Sequence, residues 1–255
     1  MISAATRWAM GTLLRVETES SSTDSAAAAR DAFFAEVARL EGRLSRFRPD
    51  SDVSRVNRAA GGAPAAVSPD AFEAIARALD YARETGGAFD PVDGGGRAAV
   101  VLDAEARTVF LPRGASLDLG GIGKGFALDR ALALARAIPE LERVSADFGG
   151  QLLFWRRGAY PAPERIAVED PRAPGRLLAE FEIRSNCSVS TSSQAERPGH
   201  IVDRRDGGIA SRSASATVAA PSATEAEAWS TALFVAGEEG LARLKDRPGV
   251  KALLF

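Results

Sequence analysis

Cysteine and histidine are nearly missing from this 255-residue chain: each occurs once, as Cys187 and His200. A lone cysteine excludes an intramolecular disulfide framework and a cysteine-based zinc cluster. With a lone histidine, any histidine-dependent proton chemistry runs through His200. A surplus of positive charge is missing too. Lys and Arg number 32 against 34 Asp and Glu, a formal net charge of −2, which leaves no electrostatic footprint for nucleic acid. No apolar run approaches the length of a membrane span. The start, Met1-Ile2-Ser3-Ala4-Ala5-Thr6-Arg7-Trp8, lacks the basic segment and apolar core of a secretory signal. The cytoplasm is therefore the expected location, or the periplasm where a leader has been trimmed. What remains is ordinary globular composition, 45% hydrophobic and 26% charged. That is enough for a sizeable core in one domain over residues 1–255, either undivided or as two intimate lobes.

Periodicity places the elements. Thr12–Thr18 alternates as a strand, and Asp24–Leu44 carries an apolar stripe at Phe33, Val37, Leu40 and Leu44 that predicts a long helix. Asp50-Ser51-Asp52 caps a short helix through Val53 and Val56. Ser68-Pro69-Asp70 opens another helix, stopped by Gly86-Gly87. A glycine cluster at Gly94-Gly95-Gly96 precedes a hairpin, Val100–Asp103 with Thr108–Leu111. A helix from about Gly125 to Arg136 and strands at Val144–Phe148, Gln151–Trp155, Ile166–Asp170, Leu178–Ile183, Cys187–Thr191, Gly199–Asp203 and Ala214–Ala220 follow. Ser222 or Thr224 caps a helix to about Val235, Glu238–Lys245 forms a shorter one, and Val250–Phe255 is a final strand. This mixed order predicts an α+β fold rather than a regular βαβ repeat.

The stretch with the most chemistry is Ser116-Leu117-Asp118-Leu119-Gly120-Gly121-Ile122-Gly123-Lys124-Gly125-Phe126. Glycines ahead of a helix let backbone approach a phosphate, and the helix start offers free N–H groups. It is not a P-loop: Gly125 follows Lys124 where Ser or Thr belongs, and Asp118 stands in place of the first glycine. Nor is it a dinucleotide fingerprint, since Phe126 replaces the last glycine. A plain strand-to-helix turn with an exposed lysine remains open. Glu227 and Thr231 lie four apart on one helix face and could hold a hard cation through oxygen, or could be a solvated carboxylate and a self-bonded hydroxyl. Phe47 and Phe89 could stack on a planar ring or be core, and His200 could be a proton carrier or a surface residue. Cys187 reads as a small core residue.

These pieces occur in a particular order. Met10-Gly11-Thr12 comes first, then Ser45–Asn57, Gly87-Ala88-Phe89-Asp90-Pro91, Leu117–Gly125 and Phe148-Gly149-Gly150. Val189-Ser190-Thr191-Ser192, His200-Ile201-Val202-Asp203, Thr217–Pro221 and Ala226–Leu233 complete it. The succession covers nearly the whole chain and resembles the ApbE-like family of FAD:protein FMN transferases. The resemblance implies an α+β fold of mixed sheets and packed helices, with two intimate lobes around a nucleotide cleft. It implies FAD as substrate and magnesium as cofactor. The implied reaction passes FMN from FAD to a Thr or Ser hydroxyl of a flavin-carrier protein and releases AMP. The alternatives are hydrolysis of FAD to FMN and AMP, and FAD binding without catalysis. Carried over by residue, Met10, Phe47, Ala88, Phe89, Asp90, Asp118, Lys124 and Ile201 would contact FAD. Gly121, by its carbonyl, with Glu227 and Thr231, would hold magnesium, Ser230 would lie close by, and His200 would be the base for the acceptor hydroxyl.

The chain departs from the family pattern in named places. Glu227 stands where aspartate is usual, one methylene longer, and Arg204 where proline usually follows His-Ile-x-Asp. Ser193 occupies a glycine position, where a positive φ would be costly for serine. The segment between Pro91 and Asp118 is shorter than usual, which would open the FAD site or change acceptor docking. Phe47 stands where a hydroxylated or larger aromatic is common.

Overall fold

Serine caps set where most of the helices begin. The computed structural model describes residues 1–94, 96–173, 175–195 and 198–255, so Gly95 of the glycine cluster lies outside the described residues. In chain order the elements are β1 (Ile2–Ala9), β2 (Thr12–Ser20), α1 (Thr23–Leu44), α2 (Asp52–Arg58), β3 (Ala65–Ala66), α3 (Pro69–Glu84), β4 (Val92–Asp93), β5 (Val101–Asp103), β6 (Thr108–Phe110), β7 (Ser116–Leu117) and α4 (Gly123–Ala135). After these come β8 (Leu141–Phe148), β9 (Gln151–Arg156), β10 (Glu164–Glu169), β11 (Leu177–Ile183), β12 (Cys187–Ser193), β13 (Val202–Asp203), β14 (Gly208–Ile209), β15 (Ser215–Ala220), α5 (Ala223–Ala236), α6 (Glu238–Leu244) and β16 (Lys251–Leu254). Ser22, Ser51, Ser68 and Ser222 each accept an N–H from the first turn of α1, α2, α3 and α5, satisfying donors that helix geometry leaves open. Ser222, not Thr224, is the cap of α5.

Among the described residues the main sheet has seven strands in the order β1-β2-β8-β9-β12-β15-β16, every neighbouring pair antiparallel. α1 lies on β1 and β2, α5 lies on β12 and β15, and α4 fills the space between α1 and α5. The apolar stripe of α1 is buried as the periodicity predicts: Phe33, Val37 and Leu40 are fully covered and Leu44 nearly so. The opposite sheet face carries a smaller cluster, in which Ile166 and Ile183 of the β10–β11 hairpin cover Val189, Leu152 and Phe154.

Strand β1 is not anticipated by the sequence. Its residues alternate weakly, and it exists because it pairs along its whole length with β2, Trp8 opposite Leu13 and Ala9 opposite Thr12. The connecting turn places both Met10 (φ +44) and Gly11 (φ +80) in the left-handed region, which a two-residue hairpin of the favoured twist demands. The expected strand at Gly199–Asp203 shrinks to Val202–Asp203, paired with β14. Ser193 brings a second correction. It sits in β12 opposite Ser215 with no positive φ, so the cost expected of a serine at that position does not arise.

Candidate functional site

The glycine-rich stretch runs from β7 into α4, and its neighbours are set by the short β4–β7 ladder. Val92 pairs with Leu117, and the Asp118 N–H donates to the Pro91 carbonyl at 2.8 Å, so Asp90-Pro91 and Asp118 run side by side. Asn57 clamps the ladder from α2: its amide donates to the Leu117 carbonyl at 3.0 Å and accepts the Leu117 N–H at 2.7 Å. Gly120, Gly121, Gly123 and Gly125 all lack a positive φ. Their value is close approach. A Cβ on Gly121 would lie 3.1 Å from the Phe89 ring and 3.5 Å from Thr231 Oγ1. A Cβ on Gly125 would lie 2.3 Å from the Ala223 carbonyl oxygen, so this glycine is explained by the contact of α4 with the start of α5 rather than by a phosphate.

Helix α4 has Ile122 at its N-cap position and no side-chain cap of its own. Glu227 of α5 supplies one from across the site. The carboxylate is 3% exposed; its Oε2 accepts the Gly125 N–H at 2.8 Å and its Oε1 accepts the Lys124 ammonium. One turn further along α5, Thr231 faces Gly121. Ser230, fully buried, has its Oγ 3.0 Å from both Ser190 Oγ and the Glu227 carbonyl, to either of which its one proton can go, and 2.9 Å from Ser192 Oγ. Ser192 also stands 3.5 Å from Thr231 Oγ1. β12 thus fixes the rotation of α5 that turns Glu227 and Thr231 toward the glycine stretch.

A cavity of about 520 Å³ opens at Asp90, lined also by Val92, Asp93, Arg97, Val202 and Arg204, within the range of small-ligand sites. Asp90 accepts from Arg97 at 2.8 Å, yet its burial outweighs the cation and holds its pKa above the usual carboxylate value. Arg204 pairs with Asp93 at 2.8 Å and reaches Asp118 at 3.8 Å; Arg46 pairs with the same Asp118 oxygen at 3.3 Å. Phe89 is buried, its N–H donating to Thr85 Oγ1 at 3.1 Å, and Ala88 is buried beside it. Phe47 is 83% exposed, with the Arg46 guanidinium 4.8 Å from its ring centre.

The structure therefore gathers the expected residues unevenly. Gly121, Phe89 and Thr231 meet, as do Lys124 and Glu227, and Asp118 joins Asp90 through Pro91. Phe47 reaches the group through Arg46 and Asp118. Ile201 is buried, its carbonyl held by Gln194 and the Ala210 N–H, just ahead of cavity-lining Val202. His200 is exposed on the same loop. Met10 sits at the β1–β2 turn, packed against the main core. Arg46 and Arg97 are not singled out by the sequence, because single arginines carry no pattern until the fold pairs them.

Among the described residues no three His, Cys, Asp or Glu side chains gather as a metal cluster. The groups expected to hold a cation, Glu227, Thr231 and the Gly121 carbonyl, would offer oxygen donors alone, one of them a carboxylate, and Thr231 Oγ1 lies beside Gly121. That suits a hard cation such as magnesium, which keeps several waters and is bound by one or two carboxylates plus substrate phosphates. It does not suit a soft metal.

Comparison with known proteins bears on the family and the fold. The profile of the ApbE family matches residues 10–98 and 94–254. The FAD:protein FMN transferase of Treponema pallidum is 32% identical over 96% of this chain and 82% of its own length. The crystal structure of the ApbE protein from Thermotoga maritima superposes with a TM-score of 0.88 at 26% identity, covering 100% of this chain and 94% of that one. The flavin transferase ApbE from Vibrio cholerae, at 20% identity and a TM-score of 0.83 over 100% of this chain and 93% of that one, shares the fold.

Proposed function

The chain belongs to the ApbE family, and from that premise we propose that it is an FAD:protein FMN transferase dependent on magnesium. The acceptor is a Thr or Ser hydroxyl of a flavin-carrier protein, and AMP is released. The observation that carries this reading is that Lys124 meets Glu227 and Gly121 meets Thr231, which brings the start of α4, from the middle of the sequence, against α5, from its C-terminal part.

In the transfer, the acceptor hydroxyl attacks the phosphorus of the FMN half, the pyrophosphate P–O bond breaks, and AMP departs with the bridging oxygen. The hydroxyl proton must leave, and His200 is the side chain assigned to receive or position it. Magnesium, when bound, supplies neutralisation of the pyrophosphate oxygens. Glu227 and Thr231 would hold the cation with the Gly121 carbonyl. Phe89 forms a buried wall beside Gly121. Asp90 lines the cavity, and in this reading Asp118, Phe47, Met10 and Ile201 would be the further FAD contacts.

Incubation with FAD, Mg²⁺ and a carrier domain bearing the acceptor threonine tests this. Covalent FMN on the carrier is expected. AMP and free FMN without carrier labelling would establish hydrolysis instead, and intact bound FAD with neither product would establish a binding protein. His200→Ala is expected to lower transfer by 10²-fold or more while leaving FAD affinity within twofold; an unchanged rate removes the base assignment.

A further inference from the structure

Glu227 is the only carboxylate in the oxygen set, and both of its oxygens are already engaged. Oε2 caps α4 through the Gly125 N–H, a partner fixed by the helix start. The oxygen left for a cation is Oε1, which the Lys124 ammonium covers. An ammonium and a divalent cation cannot both sit against one oxygen in a site this buried, where like charges repel with little screening. Lys124 is held at one end only. Its side chain is 25% exposed, on a stem flexible enough to swing clear of Glu227.

We propose that Lys124 is an internal counter-cation that occupies the magnesium position at Glu227 and must be displaced before a divalent cation binds. The longer arm of glutamate makes this possible, since it spans from α5 to the ammonium and to the Gly125 N–H at once. In the absence of nucleotide the site is closed by its own lysine. Phosphates that attract the ammonium open it. The inference rests on the reading of Glu227 and Thr231 as cation ligands.

Binding of Mn²⁺ to the FAD-free protein, followed by the electron paramagnetic resonance of free Mn²⁺, tests the exchange. Lys124→Met and Lys124→Gln are each expected to bind Mn²⁺ at least tenfold more tightly than the wild type. Glu227→Gln is expected to lose binding. If both lysine variants bind no more tightly than the wild type while Glu227→Gln abolishes binding, the lysine exchange is wrong and the cation site stands. If Glu227→Gln binds as the wild type does, the exchange and the cation reading fall together. Two lysine replacements of different polarity, each checked for native near-ultraviolet circular dichroism, keep a folding defect from imitating either result.

Discussion

Asp203 and Arg205 show how one residue's environment turns into a pH dependence. Asp203 is buried, accepts from the Arg205 backbone at 3.1 Å, and takes the guanidinium on both oxygens at 2.8 and 2.7 Å. The arginine holds its pKa below the ordinary 3.8. A carboxylate depressed in the folded state contributes stability above its unfolded pKa and loses it as pH falls through the folded value. Asp203→Asn is therefore expected to be about 2 kcal/mol less stable at pH 7. Urea titrations should show the gap closing below about pH 3.8, and a gap constant down to pH 2 would remove the charge from the explanation. At this scale the sequence reads well where spacing is local. Glu227 and Thr231 share a face because they are four apart. The Lys124–Glu227 pair is invisible, because no pattern links residues that far apart in the chain. The same holds for Arg46 on Asp118 and Arg97 on Asp90.

Helices with serine caps and apolar stripes were legible; elements that borrow their stability were not. β1 exists through β2, and α4 starts on a carboxylate from α5. The α4–α5 contact gives two tests. Gly125→Ala drives a methyl into backbone atoms of Ala223 and Thr224 at 2.3–2.8 Å and should cost about 2–3 kcal/mol. Gly123→Ala, with nothing within 4 Å, should be neutral or stabilising by up to about 1 kcal/mol. Equal urea midpoints for the two would show that the helices do not approach as described. Asp129 of α4 caps α5 in return, accepting from Ser222 Oγ at 2.6 Å, the Ala223 N–H at 2.8 Å, and the Thr224 N–H at 2.9 Å. Asp129→Ala should lower stability by about 2 kcal/mol, read from the same midpoints.

For the whole molecule, the α+β fold followed from element order, whereas the strand order did not, because β2 meets β8 only after a long excursion through α1, α2 and α3. A ligand that spans these parts should stabilise all of them. FAD with Mg²⁺ at a hundred times its Kd should add about 2.7 kcal/mol, a rise in Tm of about 5–10 °C by calorimetry for a chain of this size. No rise would exclude a site in the cavity beside Asp90.

The reciprocal caps between α4 and α5 also set the order of events during synthesis. On a ribosome adding about 5–20 residues each second, α4 emerges several seconds before the carboxylate that completes its first turn. β12 and β15, which orient that carboxylate, emerge on either side of the His200 loop. The α4–α5 contact therefore forms late, ahead of only α6 and the edge strand β16, and a chain stalled before α5 exposes a frayed α4 and an open sheet edge where chaperones or proteases would act first.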